Sequence, residues 1–283
     1  MGNSYLSENK PMRIAVLLFL CSFLALSFST RADSPSDASA EEQNALFFGK
    51  DQRIKVAETS EWPWQAIGQV ETASGNLCTA TLISPHLALT AGHCVLAPPN
   101  HLDKAVSLRF ISDAKGWQYQ TENIETLVDP KLAKKLKPDG DGWIVPPAAA
   151  AYDFALIRLK DQEALPIKPL PLWLGDSKAL TQALKKTKNL ITQAGYPEDH
   201  LNSLYGHQGC KITGWAQKGV LSHRCDTLPG DSGSPLLLKT NDGWRLIAIQ
   251  SSAPAAEDRY RADNRALAVT AIREALNSLA AGK

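Results

Sequence analysis

The feature that most constrains this chain is a succession of short apolar runs, each closed by turn-forming residues: "WQAIGQV", "LCTATLI", "HLALTA", "AVSLRFI", "DFALIRL", "NLITQAG", "CKITGWA", "SPLLLK" and "WRLIAIQ". Runs this short, bounded by Gly, Pro, Asn and Asp, are too brief for the helices of a bundle and match the strands of a sandwich or barrel. The spacing therefore predicts an all-β protein. The proline-rich stretch "PIKPLPLW", Pro166–Trp173, divides the runs into two comparable groups, so a linker is expected there between two packed β-domains. The period changes only near the end, where Val269, Ile272, Leu276 and Leu279 share one helical face. They predict a docking helix with a core-facing stripe.

Composition narrows the function classes. The 283 residues are 44% hydrophobic and 21% charged, ordinary for a globular protein and too apolar for a disordered one. Thirty basic and twenty-nine acidic side chains leave a formal charge of +1, so no global field draws the chain to nucleic acid or anionic lipid. The sequence carries no internal repeat, metal-ligand spacing or nucleotide-binding loop, and no metal or cofactor is expected. "PDGDG", Pro138–Gly142, lacks the bidentate Glu of a calcium loop and reads as a solvated turn.

At the N-terminus, Lys10 and Arg13 precede an unbroken apolar stretch from Ile14 to Leu26, followed by Thr30-Arg31-Ala32. This order reads as a secretory signal removed after Ala32, with Met12 an equally good start. The apolar stretch is shorter than the roughly 20 residues that span a bilayer. Asp33 to about Asn44 is rich in Ser, Ala, Asp and Glu with nothing to pack. The expected organisation is a signal over 1–32, a leader or pro-segment over 33–45, and β-domains over 46–165 and 166–283. Export to a periplasm or the exterior follows, as a monomer without a membrane anchor in the mature form. Cys21 is lost with the signal, leaving Cys78, Cys94, Cys210 and Cys225. In an exported chain these suggest two disulfides. Three connectivities are open; the local one, Cys78 with Cys94 and Cys210 with Cys225, closes two short loops, each worth about 3 kcal/mol.

Three segments each offer one part of a nucleophilic machine. In "TLISPHLALTAGHC", His93 follows a strand and adjoins Cys94; imidazole is the natural general base near neutrality. In "AAYDFALIRL", Asp153 opens an apolar strand, where a carboxylate needs a buried partner. That partner would be the ring N–H of His93. In "CDTLPGDSGSPLLL", Gly230 and Gly233 permit a tight backbone on either side of Asp231 and Ser232. Such a turn can expose the hydroxyl and aim the N–H groups of Gly230 and Ser232 at one point.

Taken together, "TAGHC", "DFALIRL" and "GDSGSP", in this order, resemble the chymotrypsin superfamily of serine peptidases, from about Phe47 to the final helix. "FFGKDQR", "PWQAIGQV", "GYP" at Gly195–Pro197 and "DTLPGDSGSP" are similar to its bacterial glutamyl-endopeptidase branch. The resemblance implies two packed six-stranded antiparallel β-barrels with a C-terminal helix. It also implies an endopeptidase that cleaves protein or peptide substrates. By motif, His93 is the base and then the acid, Asp153 the orienting carboxylate, Ser232 the nucleophile, and Gly230 with Ser232 the oxyanion donors. Asp231 matches the carboxylate that can bind a newly freed N-terminal amine, and Ser251 the serine that supports the buried aspartate. Asp226 falls at the floor of the primary pocket, with Thr227, Gln250 and Ala253 around it. Gln250 stands where the glutamate-specific branch has a histidine, so that specificity is not carried over. Asp226 instead suggests a basic residue before the scissile bond, unless its side chain turns to bond its own loop. A catalytically silent binding protein or adhesin on the same barrels is the rival. An esterase on an α/β-hydrolase scaffold does not fit the order His, Asp, Ser.

Overall fold

The computed structural model describes residues 41–282 except 43 and 141. The expected signal, residues 1–32, and residues 33–40 of the leader lie outside the described residues. Among the described residues no helix is long and apolar enough to cross a membrane.

The N-terminal half supplies β1 (Ile67–Thr72), β2 (Leu77–Ser84), β3 (Leu87–Thr90), β4 (Ala105–Asp113), β5 (Gly116–Thr121), β6 (Ile124–Val128) and β7 (Ala155–Leu159). They form one antiparallel sheet in the order β5-β4-β1-β2-β3-β7-β6. This sheet curls into half a barrel, with no ladder joining its edge strands β5 and β6. It therefore differs from the expected six-stranded barrel by an added strand and an open seam. β5 is that edge: its sequence, GWQYQT, alternates exposed and half-buried positions, the pattern of a strand with one wet face.

The C-terminal half supplies helix α1 (Ser177–Lys186) and strands β8 (Leu190–Gly195), β9 (Tyr205–Gln217), β10 (Val220–His223), β11 (Pro235–Thr240), β12 (Gly243–Ser252) and β13 (Asn264–Ala268). Their order is β9-β8-β11-β12-β13-β10, and the added pairing of β9 with β10 closes the ring into a six-stranded barrel. The two-residue strand Ile54–Lys55 hangs on β9 at Gly206 and Tyr205. Strand β11 shows why its sequence is an unbroken apolar run. Leu237 packs into the core shared with the first sheet, while Leu236 and Leu238 face a second cluster with Leu180, Leu184 and Ile247. Both faces of the strand are covered, so no polar alternation survives.

The proline-rich stretch is pinned to both halves. Leu170 N–H donates to Leu82 O at 2.8 Å, Trp173 N–H to Leu246 O at 2.9 Å, and Leu246 N–H to Pro171 O at 3.0 Å. Proline at 169 and 171 costs nothing here, because the donors come from the alternate residues. The expected terminal helix is α2 (Val269–Ala280), which buries Val269, Ile272 and Leu276. Arg158 of β7 caps it by donating to Ala280 O at 2.5 Å. Of the "PDGDG" motif, Pro138, Asp139 and Gly142 lie in a two-stranded hairpin that pairs Lys137–Asp139 with Gly142–Ile144.

Registers fix where the chemistry sits. β7 pairs with β3 so that Ala155 faces Thr90. Continued by two residues, that register sets Asp153 beside the turn that carries His93. β11 pairs with β12 so that Pro235 faces Ile249, and the ladder runs on through Gln250 N–H to Ser234 O at 2.9 Å and Gly233 N–H to Gln250 O at 2.8 Å. Ser232 and Ser251 are thereby brought to the same end, against the mouth of the first sheet.

Candidate active site

His93 lies in a 3₁₀ turn, Gly92–Val95, directly after β3. The disulfide Cys78–Cys94 (S–S 2.04 Å) bolts this turn to β2. The second disulfide, Cys210–Cys225 (S–S 2.13 Å), ties β9 to the segment leading to the Ser232 turn. The local connectivity is the one present.

Asp153 is fully buried. Its Oδ1 accepts the His93 backbone N–H at 2.8 Å, and its Oδ2 lies 2.9 Å from His93 Nδ1. Ser251 Oγ donates to the same Oδ2 at 2.5 Å. On the far side of the ring, His93 Nε2 is 2.9 Å from Ser232 Oγ. The carboxylate holds Nδ1 as the protonated nitrogen, which leaves Nε2 as the acceptor facing the hydroxyl. Burial alone would push the Asp153 carboxyl up, but His93 and the Ser251 hydroxyl outweigh it and hold it below the usual range. Burial likewise works against a charged imidazole, yet Asp153 leaves His93 above its ordinary value. The arrangement suits a group that must take a proton from one oxygen and deliver it to another atom.

The turn holding Ser232 depends on two glycines at positive φ, Gly230 at +92° and Gly233 at +81°. A Cβ on Gly233 would stand 2.3 Å from Thr79 O, and one on Gly230 2.4 Å from Tyr196 O, so only glycine serves at either place. Around them the backbone donors are spent unevenly. Asp231 N–H bonds to Leu228 O and Ser234 N–H to Asp231 O. Among the described residues the N–H groups of Gly230 and Ser232 have no partner. Two free donors flank the hydroxyl, the configuration that can receive an oxyanion.

Sequence reasoning missed Thr79. Its N–H donates to Ser232 O at 2.9 Å, its Oγ1 to Gly230 O at 2.9 Å, and Tyr196 N–H donates to that Oγ1 at 2.9 Å. One threonine of the first sheet thus props the Ser232 turn of the second. Its only signal was a polar residue inside the apolar run "LCTATLI".

Of the residues expected around the primary pocket, Asp226, Thr227 and Gln250 are each taken up by neighbours. Asp226 is 3% exposed; its Oδ2 accepts Gln52 N–H at 2.8 Å and sits 3.1 Å from His207 Nδ1. Both partners of that oxygen lie outside its own loop. Asn264 donates to Thr227 Oγ1 at 3.2 Å and to Cys225 O at 2.7 Å. Gln250 Oε1 is 2.7 Å from Nε2 of the fully buried His223, whose Nδ1 accepts Cys225 N–H at 3.2 Å. Burial pushes His223 down to about 3, so it is neutral and carries its proton on Nε2. Ala253 is exposed.

A second residue missed from sequence is Arg259, only 6% exposed. Its Nη1 donates to Asn264 Oδ1, and its guanidinium lies 4.9 Å over the Phe48 ring. Among the described residues Nε and Nη2 have no hydrogen-bond partner. Burial pulls the group down to about 10, against the opposing pull of Asp226 and Asp263, so it remains a buried cation at neutral pH.

Asp231 is buried too, and accepts Leu228 N–H at 3.0 Å. Burial pushes its carboxyl up to about 7, against the pull of that N–H and of Arg53. A carboxyl raised in the folded state favours folding most at low pH, and that advantage is lost as pH rises toward the folded value of about 7. Asp231→Asn is therefore expected to raise the melting temperature by several degrees at pH 8 and to leave it nearly unchanged at pH 4. Thermal melts at the two pH values check this, and an equal shift at both would contradict it.

Comparison with known proteins bears on the family and the fold. The trypsin family profile matches residues 52–269. A glutamyl endopeptidase of Bacillus licheniformis is 26% identical over 207 residues, covering 73% of this chain and 59% of that protein. Transmembrane protease serine 11C of Mus musculus is 28% identical over 207 residues, covering 69% of this chain and 46% of that one. The chain spans about half the length of these relatives. A solved Glu endopeptidase in complex with MPD superposes with a TM-score of 0.59 at 22% identity, over 83% of this chain and 99% of that one. This likeness shows the chymotrypsin-like fold. With the family profile covering most of its length and both β-units in place, the chain belongs to the trypsin family of serine peptidases.

Proposed function

We propose that this chain is an exported serine endopeptidase with Ser232, His93 and Asp153 as its catalytic triad. The observation that carries the reading is the continuous chain of contacts from Asp153 Oδ2 through His93 to Ser232 Oγ, with the N–H groups of Gly230 and Ser232 unpaired among the described residues. Ser232 Oγ attacks the scissile carbonyl carbon while His93 Nε2 takes its proton, and Asp153 stabilises the imidazolium that forms. The carbonyl oxygen becomes an oxyanion held by the N–H groups of Gly230 and Ser232; losing one such donor typically costs about 10²- to 10³-fold in rate. His93 then gives its proton to the leaving amine, and water repeats the sequence on the acyl-enzyme. Export is supported by the two disulfides, which persist in oxidising compartments, and by the basic and apolar order at the N-terminus. A fluorophosphonate probe tests the activity: it should label wild type at Ser232, whereas a silent binding protein would stay unlabelled.

The finer preference rests on two buried charges of opposite sign. Asp226, whose Oδ1 has no partner among the described residues, supports a basic residue before the scissile bond. Arg259 supports an acidic one, because two of its nitrogens are unpaired among the described residues while Asp226 Oδ2 is already held by Gln52. A buried cation that feels Asp226 and Asp263 only through space, with Nε and Nη2 unpaired among the described residues, still favours an anion that arrives with the substrate. We therefore read the pocket as acid-preferring, in line with the name of the Bacillus licheniformis relative. Matched peptides ending in Glu, Arg and Ala before the scissile bond decide between them. The expected result is kcat/KM at least about tenfold higher for Glu than Arg, as a pocket pairing one buried charge discriminates, with Arg259→Gln erasing the ratio. A preference for Arg that disappears in Asp226→Ser would reinstate the basic reading.

A further inference from the structure

Beside the nucleophile lies a cleft of about 580 Å³ that contains His93, Gly230 and Ser232 but none of Asp226, Thr227, Gln250 or Ala253. His93 forms part of its lining, and chemistry says what belongs there. In the proposed reaction His93 donates a proton to the leaving amine, so the chain following the scissile bond must pass over His93. Leu77, Cys78, Leu96, Pro98 and Trp143 give the cleft an apolar wall, beside the polar Ser74, Asn76 and Ser232. Apart from His93, the one ionisable side chain among the described lining residues is Asp103. That carboxylate is taken up by Thr72 Oγ1 at 2.6 Å, Ser74 Oγ at 2.6 Å and Ser74 N–H at 3.0 Å. No described cation lines the cleft.

Trp143 reaches this place on the hairpin Lys137–Asp139 with Gly142–Ile144, which is inserted between β6 and β7. The ring is half-buried, and its Nε1–H donates to Leu96 O at 2.8 Å. That bond fixes the indole against the segment that leaves the His93 turn, so the ring stands as a rigid wall with its polar edge satisfied.

Resting on the endopeptidase reading above, we propose that Trp143 is a specificity-determining residue for the leaving side. With Leu77, Leu96 and Pro98 it forms a subsite for a large apolar or aromatic side chain directly after the scissile bond. An acidic side chain is disfavoured there, since the cleft offers it Asp103 and no cation.

Acyl transfer reads this subsite apart from acylation. The enzyme is charged with a 4-nitrophenyl ester, and phenylalaninamide and glutamic acid α-amide compete with water for the acyl-enzyme. The amine nitrogen bonds to the acyl carbon, the carbon–Oγ bond breaks, and the amine proton passes through His93 to Ser232 Oγ. Wild type should transfer to phenylalaninamide about tenfold or more in preference to the glutamate amide, the range a single apolar pocket supplies. Trp143→Ala should bring the ratio close to one, and Trp143→Phe should keep most of it. Both amines meet the same acyl-enzyme, so a variant that merely holds His93 poorly slows both and leaves the ratio standing. That result, or a wild-type ratio near one, overturns the subsite while leaving the peptidase reading intact. An ester that forms no acyl-enzyme on Ser232 overturns both.

Discussion

Ser232→Ala is expected to lower kcat by on the order of 10⁶-fold, because the nucleophile is lost and the remaining groups act only with it. The side chain is small and sits in a turn held by its backbone, with Thr79 N–H on Ser232 O at 2.9 Å and Gly233 N–H on Gln250 O at 2.8 Å. None of those bonds uses the hydroxyl, so the melting temperature should stay within a degree or two of wild type. Adding His93→Ala should cost little further activity, since the two groups form one unit. Residual hydrolysis within about a hundredfold of wild type, measured on purified protein with a peptide substrate, would place the nucleophile elsewhere.

Asp153→Asn is expected to cost about 10⁴-fold in kcat, through loss of the charge that steadies the imidazolium and of the acceptor that selects its tautomer. It should also move the pH profile. In wild type Asp153 holds His93 above its ordinary value against the effect of burial, so activity falls as pH drops through that raised value and the base becomes protonated. With asparagine the carboxylate charge is gone and burial remains, so the acidic limb should shift to lower pH while the plateau collapses. A loss of rate with the limb unmoved would mean that Asp153 acts on structure alone. The variant also leaves Ser251 Oγ and His93 N–H facing a neutral amide, and some loss of stability should accompany the kinetic change.

The runs that predicted strands were those whose strands are covered on both faces or packed on one, such as β2 and β11. Edge strand β5 was not legible, because GWQYQT is mostly wet and carries no apolar run. The C-terminal stripe was legible for the same reason that it docks: Val269, Ile272 and Leu276 meet the core at helical spacing. The candidate site divides along a similar line.

Sequence alone determined the all-β class, the helix at the end, the residue types able to run nucleophilic chemistry and the glycines that a tight nucleophile turn needs. These are properties of short windows, where period, turn chemistry and side-chain type act within a few residues. Only the tertiary structure decided where the buried charges point. Asp226 takes its partner from Gln52, 174 residues away, Arg259 rests on the Phe48 ring, Thr79 of the first sheet props the turn of Ser232, and Trp143 reaches the cleft on an inserted hairpin. Each is a choice among partners of similar chemistry, and it is made by which strands pair and which surfaces meet once the two β-units close on each other.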